Sequence, residues 1–128
     1  MLKKIILSSV LLCVPTITHA QSSQVKCLAD IIYSESRGES KLGMIAVAHA
    51  SLNRSKRSGL PVCYIKGVTR KPPNKALKPF FYQLAKLSLH SSSTIGTADS
   101  WNVQKIPHDR GKKVKTIGRH VFYIMGKL

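Results

Sequence analysis

Apolar residues recur along the chain in patterns that change from one region to the next. Ile5 to Val14 is an apolar run broken only by Ser8, Ser9 and Cys13. Between Gln24 and Tyr33 the spacing becomes helical: Leu28, Ile31 and Ile32 share a face, with Cys27 and Ala29 beside them. That helix is predicted to end near Arg37-Gly38, because glycine suits a helix C-terminus. A second helix is predicted from Glu39 or Lys41 to about Ser55, with Glu39 in its first turn, where the helix dipole favours negative charge. Its stretch Gly43-Met44-Ile45-Ala46-Val47-Ala48-His49-Ala50 is rich in small residues. Such a helix can approach its neighbours closely and is expected to be buried on most sides, with His49 a satisfied core residue.

Leu60-Pro61-Val62-Cys63 reads as an extended segment, and Thr69-Arg70-Lys71-Pro72-Pro73-Asn74-Lys75 as an exposed basic loop. A third helix is expected to start at Pro79, a residue tolerated at the first helical position, and to carry Phe80, Phe81, Leu84, Leu87 and Leu89 inward. The pattern then turns to strand. Val114, Thr116, Ile117, Val121, Phe122 and Tyr123 favour extended backbone, and Gly118 divides the run into two short strands or one bulged one. A partner strand is expected between Gly96 and Val103. The sum is an α+β domain, mainly helical, with a small antiparallel sheet at its C-terminal end.

The first apolar run is read differently from the others. Lys3 and Lys4 precede it, and Thr18-His19-Ala20 supplies small residues at the positions cleavage requires, so residues 1–20 have the layout of a secretory signal peptide. The run is too short to span a bilayer, which needs roughly 20 residues. Residues 21–128, beginning at Gln21, are then a single domain with one core and no transmembrane segment. The expected location is outside the cytoplasm, periplasmic or secreted.

Export changes the meaning of the charge and of the cysteines. The chain carries 21 basic residues against five acidic ones, a formal net charge of +16. Nucleic acid is the usual partner of so basic a domain, but an exported chain rarely meets it, and no nucleic-acid-binding motif is present. Anionic cell-wall or envelope polymers fit the compartment better. Cys27 and Cys63 remain after cleavage, and an even count in an oxidising compartment suggests one disulfide, with two buried free thiols as the alternative. The histidines show no metal-ligand spacing, so neither metal nor cofactor is expected.

With five carboxylates the search for a catalytic acid is short. Asp30 lies mid-helix, and Asp99 and Asp109 fall in predicted loops. Glu35 stands where the first helix gives out. A carboxyl at a helix end facing a cleft can be partly desolvated and so hold a proton near neutrality, as the general acid of glycosidic cleavage must. By position alone, a solvated surface charge is the commoner outcome.

The stretch Cys27-Leu28-Ala29-Asp30-Ile31-Ile32-Tyr33-Ser34-Glu35-Ser36-Arg37-Gly38-Glu39 resembles the SleB-type cell-wall hydrolases. The resemblance continues through Gly43 to Ala48 and Leu52-Asn53-Arg54. It returns at Pro61-Val62-Cys63 and at Ile117-Gly118-Arg119-His120-Val121-Phe122-Tyr123. It implies a lysozyme-like fold and cleavage of peptidoglycan between N-acetylmuramic acid and N-acetylglucosamine, in the manner of a lytic transglycosylase. Glu35 matches the family's catalytic Glu and Glu39 its second Glu, for which helix-dipole and loop-pinning roles compete with a catalytic one. The resemblance also implies substrate-binding roles for Trp101, Asn102 and Tyr123, with core packing the competing role for Trp101 and a structural one for Tyr123 and His120. Cys27 and Cys63 match positions where many Gram-negative members carry cysteine. The sequence departs from the family between Tyr64 and Lys78, where a groove-shaping Gln-Phe-Ser segment is usual, and beyond Trp101, where an Asn-Pro segment and a second Trp are missing. A non-catalytic cationic module gripping anionic polymers is therefore the competing function, and a membrane-active cationic protein a third.

Overall fold

The computed structural model describes residues 19–103 and 111–125; the side chains of 19–21 are not part of that description. Lys3, Lys4, the Ile5–Val14 run, Thr18 and Asp109 lie outside the described residues, so the proposed leader and that carboxylate have no structural account.

Three helices pack together and carry a small sheet. They are α1 (His19–Ser36), α2 (Lys41–Ser58) and α3 (Lys78–Leu89), with a 3-10 turn over Val62–Tyr64 between α2 and α3. β1 (Ser100–Asn102), β2 (Lys112–Ile117) and β3 (His120–Ile124) follow, in the antiparallel order β1-β3-β2. This is the expected α+β class, helices first and sheet last.

The core follows from the small-residue helix. Gly43, Ala46, Ala48 and Ala50 are buried on α2, so α1 and α3 both pack against it. Between them lie Leu28, Ile31 and Ile32 of α1, Phe81 and Leu84 of α3, and Phe122 of β3. His49 is buried with both ring nitrogens engaged, Nδ1 by Thr94 and Nε2 by the Ser88 carbonyl and the Ser91 hydroxyl. Burial holds its pKa below the ordinary value, which keeps it a neutral core residue.

Several local expectations are corrected. Gly38 does not adopt the left-handed conformation of a helix stop; α1 closes at Ser36, and the bare Cα of Gly38 instead admits the Arg119 guanidinium, 3.2 Å from where a Cβ would stand. Glu39 does not occupy the first turn of α2. Ser40 caps that helix, its Oγ accepting from the Gly43 N–H at 3.2 Å, and the helix runs to Ser58 because Gly59 (φ 71°) supplies the left-handed stop. Val62–Tyr64 is a 3-10 turn rather than extended chain. On α3, Phe80 and Leu87 are each 47% exposed, and Ala85 and Ser88 take the inward positions beside Phe81 and Leu84.

The C-terminal hairpin turns at Gly118-Arg119, where Gly118 holds φ 57°, and β2 also carries a bulge between Lys113 and Lys115. Cys27 and Cys63 form a disulfide, their Cα atoms 5.2 Å apart. It pins the 3-10 turn, and hence the start of the segment leading to α3, onto α1.

Candidate active site

The described carboxylates sort themselves by partner. Asp30 is paired with Lys26 at 3.0 Å, Asp99 with Arg57, and Glu39 with Arg119 at 3.0 Å. Glu35 makes no ion pair among the described residues. It occupies the last turn of α1, half-buried, and lines a cleft of about 290 Å³ with Arg37, Glu39, Val103, Arg119 and His120.

Two donors hold it. The Thr69 backbone N–H donates to Oε1 at 2.7 Å, and the Trp101 indole N–H reaches Oε2 at 3.4 Å, beyond the usual range for a strong hydrogen bond. Trp101 is itself fixed from behind. The Arg54 guanidinium lies 4.8 Å over its ring and donates to the carbonyls of Asp99 and Lys66 and the hydroxyl of Ser100. Burial lowers the Arg54 pKa, with Asp99 acting in the opposite sense. Asn53, beside it, donates to the carbonyls of Gly96 and Ala98. The Leu-Asn-Arg motif thus fastens α2 to the chain that delivers β1 and its tryptophan.

Glu39 closes the other end of the cleft. Its side chain is 7% exposed and meets the hairpin turn from below. Arg119 Nε donates to Oε1, His120 Nδ1 stands 3.7 Å from the same oxygen, and Gly118 leaves room that a Cβ would take, 2.5 Å from Oε2. Burial holds the His120 pKa below its ordinary value although Glu39 favours the charged form; Arg119 works with burial and Glu35 against it. In this geometry Glu39 joins the α1–α2 turn to the hairpin, which is the loop-pinning role.

The remaining sequence candidates are distributed unevenly. Trp101 borders Glu35, but Arg54 already covers one face of its ring. Asn102 is exposed on β1 opposite Val121. Tyr123 is only 3% exposed, packed on the central strand between Ser100 and Lys113, so its side chain offers a ligand little surface. The structure therefore places Glu35 and Glu39 in the lining of the cleft, sets Trp101 against Glu35 outside that lining, and keeps Tyr123 apart in the sheet.

Ser34, Thr69 and Lys71 were not among the expected site residues. Ser34 Oγ accepts from the Lys71 N–H at 2.6 Å and is also 3.1 Å from the Lys71 carbonyl oxygen, one residue from Glu35. These contacts use backbone groups of the loop, which leave no trace in residue type. Among the described residues, no three His, Cys, Asp or Glu side chains gather as a metal site, and no helix is long and apolar enough to cross a membrane.

No protein-family model matches the sequence, and no curated protein matches it. Two solved structures share the fold. The catalytic domain of the Bacillus cereus SleB protein aligns over 80% of this chain and 91% of its own, with TM-score 0.62 and 21% identity. The catalytic domain of the germination-specific lytic transglycosylase SleB from Bacillus anthracis aligns over 87% and 100%, with TM-score 0.59 and 23% identity. The chain has the lysozyme-like α+β fold of the SleB catalytic domain.

Proposed function

We propose that the protein is an exported peptidoglycan-cleaving glycosidase of the lytic transglycosylase type, cutting between N-acetylmuramic acid and N-acetylglucosamine with Glu35 as its single acid/base. The observation that carries this reading is Glu35 itself, the one described carboxylate with no ion pair, held by N–H donors in a cleft on a fold shared with SleB catalytic domains. The disulfide and the leader-like N-terminus support an extracytoplasmic site of action.

One carboxyl is enough for the chemistry. Protonated Glu35 gives its proton to the glycosidic oxygen as the C1–O bond breaks. The resulting carboxylate then takes the proton of the muramyl 6-hydroxyl while that oxygen bonds to C1. The glycan leaves with a 1,6-anhydro end, no water is consumed, and Glu35 is again protonated. Glu39 serves by holding the hairpin against the cleft, and Trp101 by bordering Glu35. The net charge of +16 favours adsorption to the anionic polymers of the wall.

A second reading, a non-catalytic cationic module, is favoured by the segment after Cys63, which lies against Glu35 through Thr69. The variant Glu35→Gln separates the two. It keeps size and shape but cannot act as a general acid, so fragment release from purified sacculi should fall by about 10² or more. Binding to sacculi should persist. Equal release by wild type and variant removes Glu35 from the mechanism, and binding without release by either leaves the binding module.

A further inference from the structure

The segment in which the sequence departs from the SleB pattern is the one that holds the proposed acid. Two of its backbone N–H groups, two residues apart, meet two adjacent side chains at the end of α1. Thr69 donates to Glu35, and Lys71 donates to Ser34. The Ser34 hydroxyl returns toward the Lys71 carbonyl, so this one side chain touches both backbone groups of Lys71. The sequence prepares the segment for this contact. Lys71 precedes Pro72, which disfavours helical backbone at Lys71, and the next residue, Pro73, is buried. Arg70 Nη1 donates to the Ile65 carbonyl at 2.8 Å, and Arg54 Nη1 to that of Lys66 at 2.9 Å, so the base of the segment is tied as well.

We propose that Ser34 is a positioning residue for the reaction: it clasps Lys71 so that the Thr69 amide anchors Glu35 Oε1 and leaves Oε2 as the oxygen that exchanges the proton. The inference rests on the catalytic reading of Glu35 above. A carboxyl hung at a helix end can rotate and present either oxygen. A 2.7 Å bond from a fixed amide removes that freedom, whereas the 3.4 Å approach of the Trp101 indole to Oε2 is long enough to be given up to a glycosidic oxygen. Thr69 supplies only backbone, so its side chain has no part in the anchoring. The identity that matters is the serine hydroxyl one residue before the acid.

Ser34→Ala removes the hydroxyl alone, at a half-buried helical position where alanine is a good residue, so the fold should survive. On soluble glycan strands the variant should lose kcat by about tenfold or more with little change in KM, because the acid is misplaced while only one hydroxyl of the cleft lining is lost. Hydrogen exchange at the Thr69 and Lys71 amides should accelerate together. Ser34→Thr, which keeps the hydroxyl, should restore both. Full kcat in a variant whose loop amides have been freed would overturn the positioning role, and unchanged exchange at Thr69 would overturn the clasp itself. Wild-type protein that releases no fragments would sink the enzymatic reading and the positioning role together. The exchange pattern would then still report on the clasp, so the two failures are read apart.

Discussion

The two regions that flank Glu35, a hairpin wall that lines the cleft and a loop wall that meets Glu35 from outside that lining, are built by different means. The hairpin wall is coded in side chains: the buried Glu39 carboxylate and His120 ring meet the exposed Arg119 guanidinium and the missing side chain of Gly118. The loop wall is coded largely in backbone: Thr69 and Lys71 offer N–H groups, and Ile65 and Lys66 offer carbonyls, to side chains belonging to other elements. A wall of the first kind depends on which residues stand at a few positions. One of the second kind depends on the path of the chain and on the points that fix it, above all the Cys27–Cys63 bridge at its start. The two carboxylates differ in the same sense: Glu39 is paired with a cation, while Glu35 is held by neutral N–H donors.

The largest expected effect tests that dependence. Replacing Cys27 and Cys63 together by serine opens a loop of separation 36 and should lower stability by roughly 3–4 kcal/mol in the chain-entropy model. Because the bridge anchors only one wall, the Thr69 and Lys71 amides should gain exchange before those of the β2–β3 hairpin. Chemical denaturation followed by residue-resolved hydrogen exchange measures both. Equal loosening of the two walls would erase the distinction drawn between them.

The same contrast explains what could be read from the sequence. The three helices, the division of the C-terminal strand at Gly118 and the position of Glu35 all follow from periodicity and residue type. Gly118, an interruption in a strand-favouring run, marked two short strands or one bulged one, and the hairpin turns there. The loop wall stayed illegible. Thr69-Arg70-Lys71-Pro72-Pro73 reads as an exposed basic loop, and its N–H groups point at Ser34 and Glu35 with no residue preference to betray them. Gly38 marked the end of α1 correctly, since the helix closes at Ser36, but not its mechanism: it makes no left-handed cap and is small so that Arg119 can pass. Phe80 and Leu87 misled because composition gives hydrophobicity but not which side of α3 finds α1 and α2.

An intermediate effect is expected in the hairpin wall. Gly118→Ala meets two obstacles at once, a left-handed backbone at φ 57° and the Glu39 Oε2 atom 2.5 Å from the new Cβ. The backbone alone should cost about 1–2 kcal/mol. Displacing Glu39 also detaches the α1–α2 turn, so murein cleavage should fall with stability while the loop amides keep their protection. Gly96→Ala is the comparison: it has a similar φ of 58° and nothing within 4 Å, so it should show the backbone loss alone. If the two alanine variants lose the same stability and activity, the contact with Glu39 contributes nothing.

The smallest effect concerns pH, and it separates the hairpin wall from the helical core. His120 and His49 are both buried, and burial holds both below the ordinary value of 6.5, in His120 even with Glu39 only 3.7 Å away. In the unfolded chain each takes a proton near 6.5, while in the folded chain each takes it only at lower pH. The unfolded state therefore binds more protons through that interval. Stability should be fully present above about pH 6.5 and decline as the pH falls through the interval, by at most about 1.4 kcal/mol per pH unit for each histidine. His49 sits among Ser88, Ser91 and Thr94, away from the cleft, so His49→Gln removes the core's share of this slope and leaves the hairpin's. Urea unfolding between pH 7.5 and 5.5 should then show a reduced slope for His49→Gln, accompanied by falling protection of the β2–β3 amides, relative to their intrinsic exchange rates, as the pH drops. Abolition of the whole slope by His49→Gln would mean that the Glu39 carboxylate offsets the burial of His120, and the hairpin wall would be insensitive to acid.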